Sequence, residues 1–314
     1  MTTSAAPVLI VGSLAFDDLE MPTGSFPNVV GGAATYCSLA ASLFAPVRIV
    51  GVVGEDFDQT MLEHMKTRGV DTGGVEHVKG GKTFRWKGRY AADLLSRETL
   101  DTQLNVFADF RPKVPESYRT SPVVLLGNIH PALQLEVLEQ VQKPKFVALD
   151  TMNFWISGEP KLLSEVLKHV DLLTINDEEA RELSGIQNLT KAAADIRARG
   201  PKKLIIKRAE HGALLFDQDG LFHTPAVILD SVLDPTGAGD SFAGGLLGYL
   251  AASMGPTGEV PSERTLRRGM LYASALGSYC CEEIGTKRIL SLKKADVEAR
   301  VRAIAAMLDF GGLG

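Results

Sequence analysis

Short apolar runs alternate with helical patterns along nearly the whole chain, and that rhythm limits the fold more than any other feature. Val8–Val11 and residues 47–53 read as buried strands, as do Val123–Leu126 and residues 146–149, 172–175 and 204–206. Between and beside them, residues 33–44, 59–68, 131–142, 160–169 and 177–199 carry helical patterns, the last long enough for two helices. Beyond residue 236 the chain is mostly helical. Continuous apolar strands separated by helices predict an α/β fold with a mostly parallel sheet covered on both faces. The chain shows no repeat of fixed period and no low-complexity linker.

One segment departs from this rhythm. Residues 72–110 contain no pattern for a core helix. Within them, residues 82–90 alternate: Phe84, Trp86 and Tyr90 point one way, and Thr83, Arg85, Lys87 and Arg89 the other. Such a strand has one apolar and one basic face. It predicts a half-buried edge strand, or a small sheet outside the main core that serves as a lid or as a contact between two copies.

The stretch Asp234-Pro-Thr-Gly-Ala-Gly-Asp240-Ser-Phe-Ala-Gly-Gly carries the chemistry. Glycines allow backbone conformations and approaches that a side chain blocks. A helix-like run follows at once, and a helix N-terminus offers free N–H groups to an anion. Asp240 alone would pass for a helix cap. Glycines and aspartate together suit a turn that stabilises phosphoryl charge beside a carboxylate that takes a hydroxyl proton. A dinucleotide-binding enzyme needs GxGxxG after the first strand. The chain has Gly12-Ser-Leu-Ala-Phe-Asp17 there instead, which argues against a dehydrogenase.

Taken with its flanks, this segment resembles the C-terminal signature of the PfkB/ribokinase family of small-molecule kinases. Gly31-Gly32-Ala33-Ala34 resembles that family's N-terminal glycine motif, and Asn176-Asp-Glu-Glu179 its NxxE. The order agrees over roughly residues 8–308. The resemblance implies a three-layer α/β/α ribokinase-like fold over residues 1–314 as a single kinase domain, with a small β-sheet lid formed by about 13–24 and 72–110. It implies ATP and Mg²⁺, and stimulation by K⁺ bound by backbone oxygens near 234–236 and 285.

Site roles follow from the same resemblance. Asp240 would be the general base, and the N–H groups of Gly237, Ala238 and Gly239 the anion hole. Asp17, Gly31, Gly32 and Tyr36 would meet the acceptor. Asn176, Glu179, Lys207 and Gly212 would meet the nucleotide, Glu179 also placing Mg²⁺ through water. The Asn176–Glu179 spacing fits a helix capping box equally well.

Departures from the family pattern fall mostly on substrate and nucleotide contacts. Tyr36 stands where many members have Asn, and Ala15 where the GSxNxD segment has Asn. Lys207 and Ala209 replace Thr and the first Gly of TxGxxG, and Asp150-Thr-Met-Asn153 is one residue longer than DxN. A lysine at 207 suits phosphate as a point charge.

Composition bounds the partners. Thirty-three basic residues against 38 acidic leave a net charge of −5, giving no general pull toward nucleic acid. No apolar run approaches the ~18 residues of a membrane span, and the start lacks the basic region of a secretory signal. Three cysteines, two of them adjacent, make neither a disulfide framework nor a zinc site. The expectation is a reduced, cytoplasmic kinase acting on a primary hydroxyl of a sugar. The alternatives are a nucleoside kinase of the same fold and a non-catalytic nucleotide-binding regulator. A homodimer would pair through the lid.

Overall fold

The structure is a computed structural model and describes residues 5–255 and 258–309. In chain order it begins with β1 (Val8–Val11), β2 (Ala15–Met21), β3 (Gly24–Gly31), α1 (Ala33–Ala41), β4 (Val47–Gly54), α2 (Gln59–Thr67) and β5 (Val70–Val78). Strands β6 (Phe84–Tyr90), β7 (Arg97–Gln103) and β8 (Val123–Leu126) follow, then α3 (Pro131–Gln140), β9 (Phe146–Asp150), α4 (Asn153–Gly158) and α5 (Pro160–Leu167). Next come β10 (Leu172–Asn176), α6 (Asp177–Ser184), α7 (Leu189–Ala198), β11 (Lys203–Lys207), β12 (Ala213–Asp217) and β13 (Gly220–Thr224). The chain ends with α8 (Ala238–Met254), α9 (Glu263–Cys280), α10 (Lys287–Ser291) and α11 (Lys294–Met307).

Among the described residues nine strands form one sheet in the order β13-β12-β11-β10-β9-β8-β1-β4-β5. It is parallel except at β12 and β13, which join as antiparallel neighbours at one edge. Its strands alternate their side chains between two cores. Val8, Ile10, Ile49 and Leu125 face α1, α2, α8, α9 and α11. Leu9, Val11, Val50 and Leu126 face α3 to α7. Burial on both faces explains why these strands read as unbroken apolar runs. Fully burying each such side chain contributes ~1.5–3 kcal/mol, so this layer sets the stability of the molecule. Among the described residues no helix is long and apolar enough to cross a membrane.

A second sheet has the order β3-β2-β6-β7. Its extent differs from the expected lid. Residues 70–78 pair with β4 as the edge of the large sheet, and residues 24–31 belong to the small sheet. The cause is the length of β5: it stays in parallel register with β4 for most of its course, which a lid strand would not.

The basic side of β6 lies against acids on β2. Arg85 pairs with Asp18 at 3.1 Å, while Lys87 and Arg89 pair with Glu20 at 2.9 and 2.7 Å. Such exposed pairs contribute ~0–1 kcal/mol each. Their effect is to neutralise this side of the strand. The apolar side divides: Phe84 packs on Phe107 at 5.5 Å, and Trp86 and Tyr90 join Leu19 and Met21.

The sheet order reverses at β1, whose neighbours β4 and β8 lead away in opposite directions. In open α/β sheets the crevice beyond the strand ends at such a point is where ligands bind. α8 is fixed near it by close contact with α1: a Cβ on Gly244 would lie 2.1 Å from the Cys37 carbonyl oxygen.

Candidate active site

Residues 234–240 form a turn leading into α8. Asp234 is buried and holds the turn, accepting from the Thr236 N–H and, across the chain, from the Gly285 N–H, both at 2.8 Å. Gly237 takes the left-handed conformation at φ 77°, and a Cβ there would lie 2.5 Å from the Tyr36 ring. Both facts require glycine. The Ala238 N–H is used within the turn, donating to the Pro235 carbonyl at 3.1 Å. Among the described residues no hydrogen bond takes the N–H of Gly237, Gly239 or Asp240. Of the N–H groups of Gly237, Ala238 and Gly239 expected to meet an anion, that of Ala238 is thus occupied, and the unused ones are those of Gly237, Gly239 and Asp240. These lie at the positive end of a 17-residue helix.

Asp240 accepts a long hydrogen bond from the Cys37 thiol at 3.9 Å. Burial raises its carboxyl to about 7, Asp150 pushing the same way and Lys207 and Arg97 opposing. A carboxylate titrating near neutrality is suited to general-base work.

Four charged groups surround it. Lys207, at the end of β11, lies 3.5 Å from Asp150 at the end of β9. Glu179 faces the same lysine, and burial raises it to about 7. Arg97, an exposed residue of β7, has its guanidinium 5.9 Å from the centre of the Trp86 ring and beside Tyr90, and its charge acts on Glu179 and Asp240. Asn176 and Glu179 do form the capping box of α6, exchanging two hydrogen bonds of 2.7 Å. One Glu179 oxygen is thus used by the cap, and the carboxyl still faces the cluster.

Asp17 and Gly31, expected to meet the acceptor, lie on β2 and β3. Asp17 is 5% exposed and points inward, whereas its neighbour Asp18 is tied to Arg85. A Cβ on Gly31 would lie 2.0 Å from Asp17 Oδ2, so the missing side chain makes room for the carboxyl. Burial raises Asp17 to about 8, with Asp234, Asp240 and Asp18 adding to it and Arg97 opposing. Gly32 (φ 93°) lets the chain turn over Ser13 into α1. The small sheet reaches the turn directly: the Tyr90 and Thr236 hydroxyls are 2.8 Å apart.

Two expected contacts are not brought into this cluster. Tyr36 is 1% exposed, with its ring beneath Gly237 and its hydroxyl buried without a hydrogen-bond partner. Its ring faces the turn and supports it from below, so it offers no exposed surface to an acceptor. Gly212 is explained by the β12–β13 hairpin, where a Cβ would meet the Thr224 carbonyl oxygen at 2.1 Å. Ala209 keeps the left-handed conformation (φ 45°) at the family's glycine position.

Sequence reasoning missed Asp150, Arg97 and Cys37 as site residues. Asp150 carried a usable signal, being the acidic end of an apolar parallel strand. Arg97 carried none, since an exposed polar strand gives no hint of what it faces.

The chain as a whole then finds its relatives. A profile described as pfkB family carbohydrate kinase matches residues 6–292. This chain belongs to that family. A cytidine kinase of Thermococcus kodakarensis is 30% identical over 250 residues, which are 77% of this chain and 88% of that one. The nucleoside kinase of Burkholderia thailandensis in complex with inosine superposes with a TM-score of 0.75 at 20% identity, covering 95% of this chain and 99% of that one. A ribokinase of Cryptococcus neoformans in complex with ADP gives 0.76 at 22% identity, covering 94% and 100%. As a pfkB-family member the chain has the ribokinase-like fold and is a phosphotransferase acting on sugar or nucleoside alcohols.

Proposed function

We propose that this pfkB-family kinase transfers the γ-phosphoryl group of ATP to the primary hydroxyl of a nucleoside, a cytidine-like one foremost. The observation that carries the chemistry is the juxtaposition of Asp240 with unused N–H groups at the start of α8. Asp240 takes the proton of the acceptor hydroxyl. The oxygen attacks the γ-phosphorus, and the bond to the β-bridging oxygen breaks, leaving ADP with the electron pair. Gly237, Gly239 and Asp240 N–H groups face the charge that develops on the transferred group.

Asp17 accepts hydrogen bonds from sugar hydroxyls. In the free protein burial keeps it protonated near neutral pH, and hydroxyl donors favour its charged form. The donor set also fits magnesium. Asp150 and Glu179 are carboxylates beside the phosphate end, and this ion is usually held by one or two carboxylates together with substrate phosphates. When bound, it offsets phosphate charge. For potassium, Asp234 ties the two backbone segments, 234–236 and 285, that the family resemblance indicates.

The nucleoside is placed ahead of the free sugar because the cytidine kinase spans most of both chains. A second observation favours the sugar: with Tyr36 and Tyr90 both buried, the half-buried Trp86 offers little aromatic surface to a base. The deciding experiment measures ADP formation with cytidine, purine nucleosides, ribose and fructose, in wild type and Trp86→Ala. The nucleoside reading expects cytidine to have the largest kcat/KM and to lose most in the variant. Turnover of sugars alone reverses the order, and absence of ATP consumption with every acceptor rejects the kinase reading. Sedimentation of the purified protein tests pairing of two copies through the small sheet, with a monomer contradicting it.

A further inference from the structure

The lysine at 207 is a departure from the family pattern whose geometry goes beyond a general attraction for nucleotide. Its side chain is 18% exposed and that of Asp150 is 10% exposed. Among the described residues its one hydrogen-bond partner is Asp150 Oδ1, at the long distance of 3.5 Å. An ammonium has three donors, so two are unused. A Cβ placed on Gly239 would lie 3.0 Å from Nζ, with the lysine Cε and Cδ behind it at 3.7 and 3.9 Å. The ammonium therefore stands beside the second residue of α8, whose N–H, like those of Gly237 and Asp240, is unused. Asp150, Glu179 and Asp240 all face it.

A buried pair held at one long contact is a weak source of stability, because desolvation offsets most of the attraction. The arrangement makes better sense as a cation kept in place for an anion. We propose that Lys207 is a catalytic residue of phosphoryl transfer: in the free protein it rests on Asp150, and when ATP binds it moves its hydrogen bonds to the terminal phosphates. The exchange frees Asp150 to face the metal side of the nucleotide. It rests on the kinase reading above. A threonine at this position offers one hydroxyl and no charge, so this chain would carry in its own side chain part of the positive charge that phosphoryl transfer needs.

The test has two readouts. The first is direct binding of metal-free ATP and of AMP by calorimetry, which needs no acceptor. Wild type is expected to bind ATP more tightly than Lys207→Met does, by at least ~10-fold, with AMP affinity changed less than about threefold. The second is turnover with MgATP. Removing one donor from a transition-state anion site typically costs ~10²–10³ in kcat, and that loss is expected in Lys207→Met and Lys207→Thr while the acceptor KM stays within about threefold. Lys207→Arg keeps the charge and is expected to keep the preference for ATP over AMP. Because Thr and Arg preserve polarity, they carry the test if the Met variant does not fold. Equal losses for ATP and AMP, or turnover by a folded Thr variant within about threefold of wild type, overturn the assignment of Lys207 alone. A wild-type protein that binds no ATP overturns the kinase reading itself.

Discussion

The two ends of the site are built by different means. At the transfer end, consecutive residues of one turn and the first turn of α8 supply the backbone donors, and Asp240 is part of the same seven-residue stretch. At the proposed acceptor end, Asp17, Gly31, Trp86, Tyr90 and Arg97 come from four strands of the small sheet. The first end depends on local conformation and a helix terminus. The second depends on the pairing of strands far apart in sequence. The buried Tyr90–Thr236 hydrogen bond joins them.

If that contrast is right, a change of backbone freedom at the transfer end should outweigh any single side-chain change at the acceptor end. Gly237→Val combines a left-handed backbone with a Cβ 2.5 Å from the Tyr36 ring. It should lower kcat by ~10³ or more, since one lost anion-site donor already costs ~10²–10³. The Tyr36 ring belongs to the apolar core beneath the turn, so circular dichroism must first show a folded variant before the loss is assigned to the turn.

The next effect belongs to Asp17. Replacing its charged hydrogen bonds with those of Asn forfeits ~1.5–3 kcal/mol, so Asp17→Asn should raise the acceptor KM by ~10–100-fold and leave the ATP KM nearly unchanged. The pH dependence sharpens this. Asp17 at about 8 must lose its proton to accept two hydroxyls, so the wild-type acceptor KM should fall as pH rises toward 8, and the variant should lose that slope.

The same carboxyls affect stability. Asp17, Glu179 and Asp240 all have folded-state values raised by burial. The folded state holds protons that the unfolded chain has released. That stabilisation is complete below the ordinary carboxylate range and is lost as pH rises through about 7–8. The melting temperature of the ligand-free protein should therefore fall between about pH 5 and 8, and Asp17→Asn should flatten the fall. A melting temperature rising across that range contradicts the placement of these groups.

Tyr90→Phe should produce the smallest effect. It removes one hydrogen bond of ~0.5–1.5 kcal/mol, which amounts to a few-fold change in kcat/KM if the small sheet must stay seated on the turn. Equal kinetics in the variant would separate the two ends.

Legibility in the sequence follows the same division. The large sheet was readable because strands buried on both faces leave continuous apolar runs. The transfer turn was readable because its parts are consecutive. Asp17 was found through a motif, yet its proton affinity is raised first by burial and then by Asp234 and Asp240, more than 200 residues away in the chain. Tyr36 was misplaced because helical position alone does not say whether a ring meets a ligand or the turn beneath it. Residues 72–78 were assigned to the lid because a mixed polar strand on the edge of a sheet looks like one outside it.

The most direct measurement is the turnover of Asp240→Asn set against its affinity for MgATP. Asn is nearly the same size as Asp and cannot take the proton. The account predicts a loss of ~10²–10⁴ in kcat, the usual contribution of a general base, with nucleotide affinity within about threefold of wild type. Near-normal turnover at saturating acceptor would contradict the role assigned to Asp240 and to the turn that holds it.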